Sequence, residues 1–136
     1  MSNQAAPYLV VETQKSFAEA VVSVRRAVEQ AKWGILGAYD IGEILTAKGF
    51  PQGEQMKTLD VCAPTHAAAM VNANRLTALC MPCSILIYTD RGVTKLATMQ
   101  PGTVMPQLFP ETANLLGVLP GQVDRELAGI LEAAAR

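Results

Sequence analysis

The sequence predicts an α+β domain, one mostly antiparallel sheet with helices packed on one face. Three observations carry that reading. Short β-rich runs alternate with stretches whose apolar residues recur at three- and four-residue steps, two neighbouring β-runs are joined by the turn-forming Asp90-Arg91-Gly92, and 136 residues is the usual length of a single domain that buries its own core. The predicted order is β-α-β-(short α)-β-α-β-β-α in one domain over residues 1–136, with its core region at about 17–101 and a C-terminal helix at about 120–135.

Tyr8-Leu9-Val10-Val11-Glu12 is rich in β-formers and ends at a polar Thr-Gln-Lys turn, so it reads as the first strand. Ser16-Phe17-Ala18-Glu19 has the residues of a capping box, which starts a helix. Phe17, Ala20, Val21, Val24, Ala27, Val28 and Ala31 then form one apolar stripe, and Gly34 is a suitable stop. Ile35 to Ile41 reads as the second strand and Glu43 to Lys48 as a short helix closed by Gly49. Asp40 and Glu43, a conceivable carboxylate pair, are better placed as cap and helix-dipole partners.

The third strand runs from about Met56 to Cys62, where the two-residue period puts Leu59 and Val61 on one face and Thr58, Asp60 and Cys62 on the other. Pro64 ends it, and Thr65 is the expected N-cap of a helix from His66 to about Ala73. Ser84 to Tyr88 and Val93 to Met99 form the hairpin arms, with Leu79 to Cys83 as an extension of the first arm. A proline-containing loop follows, and the last helix starts near Pro120 with Val123, Leu127, Ile130, Leu131 and Ala134 as its buried stripe. Helices confined to one face leave the other bare, with Leu86 and Tyr88 among the residues there, so a homodimer is expected.

Composition excludes several functions. The formal net charge is -1 and the basic residues are scattered, which leaves no electrostatic footprint for nucleic acid. No apolar run approaches the roughly 20 residues of a membrane-spanning helix. The first seven residues have neither a basic nor an apolar export region, so a cytoplasmic location is expected. Glycines occur singly, outside any phosphate-cradling pattern, and the six methionines are dispersed along the chain, as core-filling residues would be.

Chemistry is concentrated in one stretch. All three cysteines and the only histidine lie in Cys62-Ala63-Pro64-Thr65-His66 and Cys80-Met81-Pro82-Cys83. Cys62, His66, Cys80 and Cys83 have the ligand types of a tetrahedral zinc or other transition-metal site, although their spacing is looser than a zinc knuckle. Cys80 and Cys83 have the spacing of a thiol-disulfide motif, but a strand rather than a helix follows them, so the usual activation of the thiolate is missing. Cys62 precedes a helix and lies near His66, an arrangement suited to nucleophilic catalysis if a third, orienting group exists. Plain burial of the thiols accounts for the same residues without any chemistry.

Trp33-Gly34-Ile35-Leu36, Lys48-Gly49, Cys62-Ala63-Pro64 with Ala67, and Met81-Pro82-Cys83 ahead of an apolar strand together resemble the DUF302 family. This is a family of small, mostly single-domain bacterial and archaeal proteins without an established activity. The resemblance covers about Phe17 to Pro101 and implies a compact, dimeric α+β fold in which Cys62 and Cys83 match two characteristic cysteines. His66 and Cys80 fall where the family more often has other residues, and Ala63 stands where it usually has asparagine.

These readings converge on a cytoplasmic homodimer in which Cys62 and Cys83, at the ends of neighbouring strands, approach one another and line a small cleft. The expected use of that cleft is thiol-redox chemistry or a small-molecule ligand, with no cofactor, nucleic acid or membrane partner. The alternatives are a non-catalytic interaction module with structural cysteines, and the Cys/His metal site. No catalytic assignment follows beyond Cys62 and Cys83 as candidate thiols.

Overall fold

The structure, a computed structural model, describes residues 6–136; the export reading of the N-terminus therefore rests largely on residues outside those described. Five strands, β1 (Tyr8–Thr13), β2 (Gly34–Asp40), β3 (Met56–Cys62), β4 (Cys83–Asp90) and β5 (Val93–Met99), form one sheet in the order β1-β5-β4-β3-β2. Every neighbouring pair is antiparallel. β4 and β5 are joined by the two-residue loop Arg91-Gly92, in which both residues have positive φ (53° and 84°), the primed turn that matches the twist of the flanking strands.

Helix α1 (Phe17–Gln30) carries the chain from edge strand β1 to the opposite edge strand β2. Its capping box forms as the sequence predicts: Glu19 N–H donates to Ser16 Oγ and Ser16 N–H to Glu19 Oε1. The long C-terminal helix α6 (Leu119–Ala135) packs beside α1 and against β1 and β5. Ala20, Val24, Ala27 and Val28 of α1 and Val123, Leu127, Ile130, Leu131 and Ala134 of α6 are buried together with Leu59, Val61, Ile85, Ile87 and Leu96 of the sheet. The C-terminal end of α6 is tied down by Thr13 Oγ1, which donates to Ala135 O, and by Lys15 Nζ, which donates to Ala134 O. These bonds satisfy carbonyls left free by the helix end.

Four local expectations are corrected. Helix α2 (Ile41–Ala47) starts directly after β2, because Asp40 Oδ1 accepts from Glu43 N–H at 2.9 Å and so caps it. Helix α3 (Pro64–Ala73) has Ala63, not Thr65, at its N-cap position and no side-chain cap: Pro64 occupies the first turn, where its fixed φ suits the helix and its missing N–H costs nothing. Arg75–Cys80 forms a 3-10 helix instead of extending β4, with Asn74 Oδ1 accepting from Leu76 N–H and Thr77 Oγ1 donating to Asn74 O. The proline-containing segment after β5 holds two further helices, α4 (Pro101–Leu108) and α5 (Pro110–Leu116), each with a proline in its first turn.

Candidate functional site

The ends of β3 and β5 and the beginnings of β2 and β4 lie at the same end of the sheet. Residues of α3, the 3-10 helix, α4 and α6 join them there to line a partly open cavity of about 50 Å3. Cys62, Cys80, Cys83 and His66 all line it. The sequence-predicted cluster is therefore gathered at one place, although its four members occupy unequal positions.

β3 and β4 are neighbours, as the two-thiol reading requires, but the register sets Cys83 opposite Val61 and not opposite Cys62. Leu59 and Val61 are fully buried while Thr58, Asp60 and Cys62 are half-buried, in agreement with the predicted faces. Cys83 lies on the helix-covered face and Cys80 is the last residue of the 3-10 helix. All three are free, half-buried thiols. Burial pushes the Cys83 thiol up to about 11, with smaller contributions from Cys62, Asp124 and Cys80, so it stays protonated at neutral pH.

His66, in the first turn of α3, faces Glu126 of α6, with Nε2 and Glu126 Oε2 2.8 Å apart. An ionised carboxylate only accepts, so Nε2 carries the proton and Nδ1 remains as the acceptor of the neutral ring. Glu126 also accepts from Trp33 Nε1 at 3.1 Å and from Gln122 Nε2 at 3.2 Å. Partial burial pushes its pKa up, but the bonds from Trp33 and His66, and the charge His66 can carry, bring it below the usual carboxylate value. The Trp33 and His66 rings meet edge to face with centroids 6.3 Å apart.

Glu126 is thus the orienting partner that the sequence alone does not reveal, because it lies 60 residues from His66 on another helix. Its only sequence signal is position: an acid between Val123 and Leu127, at the border of the buried stripe of α6. Among the described residues, no three His, Cys, Asp or Glu side chains come close enough to hold a metal ion. Cys62, His66, Cys80 and Cys83 consequently do not form the tetrahedral set that their ligand types suggest, and the nearest charged partner of His66 is a carboxylate.

The other wall residues add a pattern absent from the linear sequence. Met70 of α3, Met81 before β4 and Met105 of α4 join the three cysteines, so six of the nine sulfur-bearing side chains in the chain line this one cavity. Trp33, Val61, Ala67 and Val123 make most of the rest apolar. No described helix is long and apolar enough to cross a membrane.

Comparison with known proteins places this architecture. A family model described as domain of unknown function DUF302 matches residues 9–134. A crystal structure of an uncharacterized conserved DUF302 protein from Bacillus stearothermophilus superposes with a TM-score of 0.87 at 24% identity, covering 97% of this chain and 100% of that one. That likeness is one of fold. No curated protein matches the chain.

Proposed function

The chain belongs to the DUF302 family, and from that premise we propose that it is a small-ligand-binding domain whose site is the cysteine-lined cavity at the end of the sheet. One observation carries the reading: the three cysteines and the single histidine, drawn from β3, α3, the 3-10 helix and β4, line the same cavity. A volume of about 50 Å3 admits one small group and not a drug-sized molecule. Cys83 favours binding over turnover, since a thiol that ionises only near 11 is a poor nucleophile at neutral pH. The domain works in this reading as a cytoplasmic homodimer, with the bare sheet face as its subunit contact.

The only tryptophan, Trp33, lines the cavity and reports on it. Titration of the native, reduced protein with a small thiol reagent should modify at least one cysteine and change Trp33 emission in proportion. Three thiols that stay unreactive until denaturation would overturn the proposal.

A second reading, nucleophilic chemistry at Cys62, is favoured by the His66–Glu126 contact at 2.8 Å, which supplies the third group such a mechanism needs. In that case alkylation of Cys62 at neutral pH should slow strongly in His66→Ala. Equal rates in the two proteins would leave the binding reading alone.

A further inference from the structure

We infer that the ligand of this cavity is a soft monovalent metal ion, copper(I), held by one thiolate and by thioether sulfur. The inference rests on the binding reading above and names the chemical class of its ligand. Six of the fourteen residues that line the cavity bear sulfur: Cys62, Cys80, Cys83, Met70, Met81 and Met105. They come from β3, the 3-10 helix, β4, α3, the β4-preceding turn and α4, so no single local packing requirement brings them together.

Few other donors share the wall. Thr77 Oγ1 donates to Asn74 O at 2.8 Å and His66 Nε2 is held by Glu126, which leaves His66 Nδ1 as the one nitrogen donor beside six sulfur-bearing side chains. The residues that line the cavity are therefore mainly sulfur-bearing or apolar, surroundings that select copper(I) over oxygen-seeking ions. Zinc asks for four thiolate, imidazole or carboxylate ligands in a tetrahedron, and no three such groups converge among the described residues. Copper(I) is satisfied by two or three donors and accepts thioethers, which zinc sites do not use.

Charge points the same way. In an apolar cavity a net charge is heavily penalised, and one thiolate neutralises a monovalent ion while thioethers complete its shell without adding charge. A divalent ion on the same donors would keep a positive charge. Binding forms a copper–sulfur bond and breaks one S–H bond; the proton leaves to solvent, and no electron is transferred. The cavity, about 50 Å3, has room for a bare ion among its lining side chains.

The test uses the full chain, reduced and kept free of oxygen. Copper(I) presented as its complex with a chromophoric bicinchoninate chelator should be withdrawn at one equivalent per chain, with quenching of Trp33 emission. Silver(I) should compete and zinc(II) should not. The paired change Met70→Leu and Met105→Leu, close in volume and shape, should weaken the affinity by about tenfold while circular dichroism shows the fold intact, and Cys83→Ser and Cys62→Ser, made separately, should identify the thiolate. Failure to withdraw copper(I) from the chelator overturns the inference, as does binding that neither the methionine pair nor either cysteine change weakens. If a small thiol reagent still alters Trp33 emission in that event, the ligand-binding reading stands without copper; three inert thiols and no copper binding would remove both.

Discussion

Cys83 occupies an inward position of β4 opposite Val61, and its burial has a consequence for stability. A thiol whose folded pKa of about 11 lies above its ordinary value of 9.0 holds its proton more tightly when folded. Its contribution is therefore whole below about pH 9 and is lost as pH rises towards 11. Denaturation midpoints should fall over that window in the native protein, and Cys83→Ser should flatten the fall. Thiolate absorbance that develops near pH 9 in a folded variant with Cys62→Ser and Cys80→Ser, where Cys83 is the one thiol left, would contradict the assignment. Glu126 has the opposite sign: its lowered pKa gives stability that is present above the usual carboxylate range and lost as pH falls. Glu126→Ala removes the acceptor of the buried Trp33 Nε1–H and should destabilise the protein by about 1–3 kcal/mol, with a red-shift of Trp33 emission as water replaces the carboxylate. Unchanged stability and emission would show that the contact is idle. The cysteines and His66 were legible in the sequence because rare residues close together in the chain stand out. Glu126 was not, because one of three acids on an amphipathic helix acquires its role only when the fold brings it within hydrogen-bond reach of His66.

At the scale of elements, the periodic helices and the hairpin follow directly from residue pattern, and the two missed α-helices, α4 and α5, share one cause. Prolines at 101, 106 and 110 suggest a loop, yet a first-turn proline favours a helix, so Pro101 and Pro110 each start one. What holds α4 in place is tertiary. Gly102 N–H donates to Asp124 Oδ1 of α6 at 2.8 Å, so an acid on α6 satisfies an N-terminal amide of α4. Burial raises the pKa of Asp124 above the ordinary aspartate value, with the Gly102 bond acting in the opposite sense. A side chain at 102 has no room: a Cβ there would collide with the Asp124 carboxylate and approach Gly121 Cα at 3.2 Å. Gly102→Ala should therefore push α4 from α6, destabilise the fold by about 1–3 kcal/mol, and loosen the cavity wall that Met105 supplies. Chemical denaturation with Trp33 emission as the probe measures both effects. A variant as stable as the parent would mean that α4 is fixed by other contacts.

For the whole molecule, the α+β class, the single sheet and its helix-covered face were readable because helices and strands each carry their own hydrophobic period. Strand order was not, since α1 spans the full width of the sheet between β1 and β2, and nothing local encodes that crossing. The register shows what lies on the uncovered side. Val10, Ala97, Leu86, Thr58 and Tyr39 are consecutive cross-strand partners, one row running through all five strands on the face away from α1 and α6. Tyr8 and Met99 pair beside that row and are 55% and 54% exposed, with Val10 at 41% and Tyr39 at 51%. Exposed apolar side chains gathered along such a row, interrupted only by Thr58, suit a second copy of the same face as a self-complementary cover. Sedimentation at micromolar concentration should give twice the 14.5 kDa chain mass. Val10→Lys and Leu86→Lys together place like charges where the two faces meet and should yield a folded monomer with an unchanged far-ultraviolet spectrum. A parent protein that sediments as a monomer would refute the dimer outright, whereas a double variant that stays dimeric would move the contact from the sheet face to the edge strands β1 and β2.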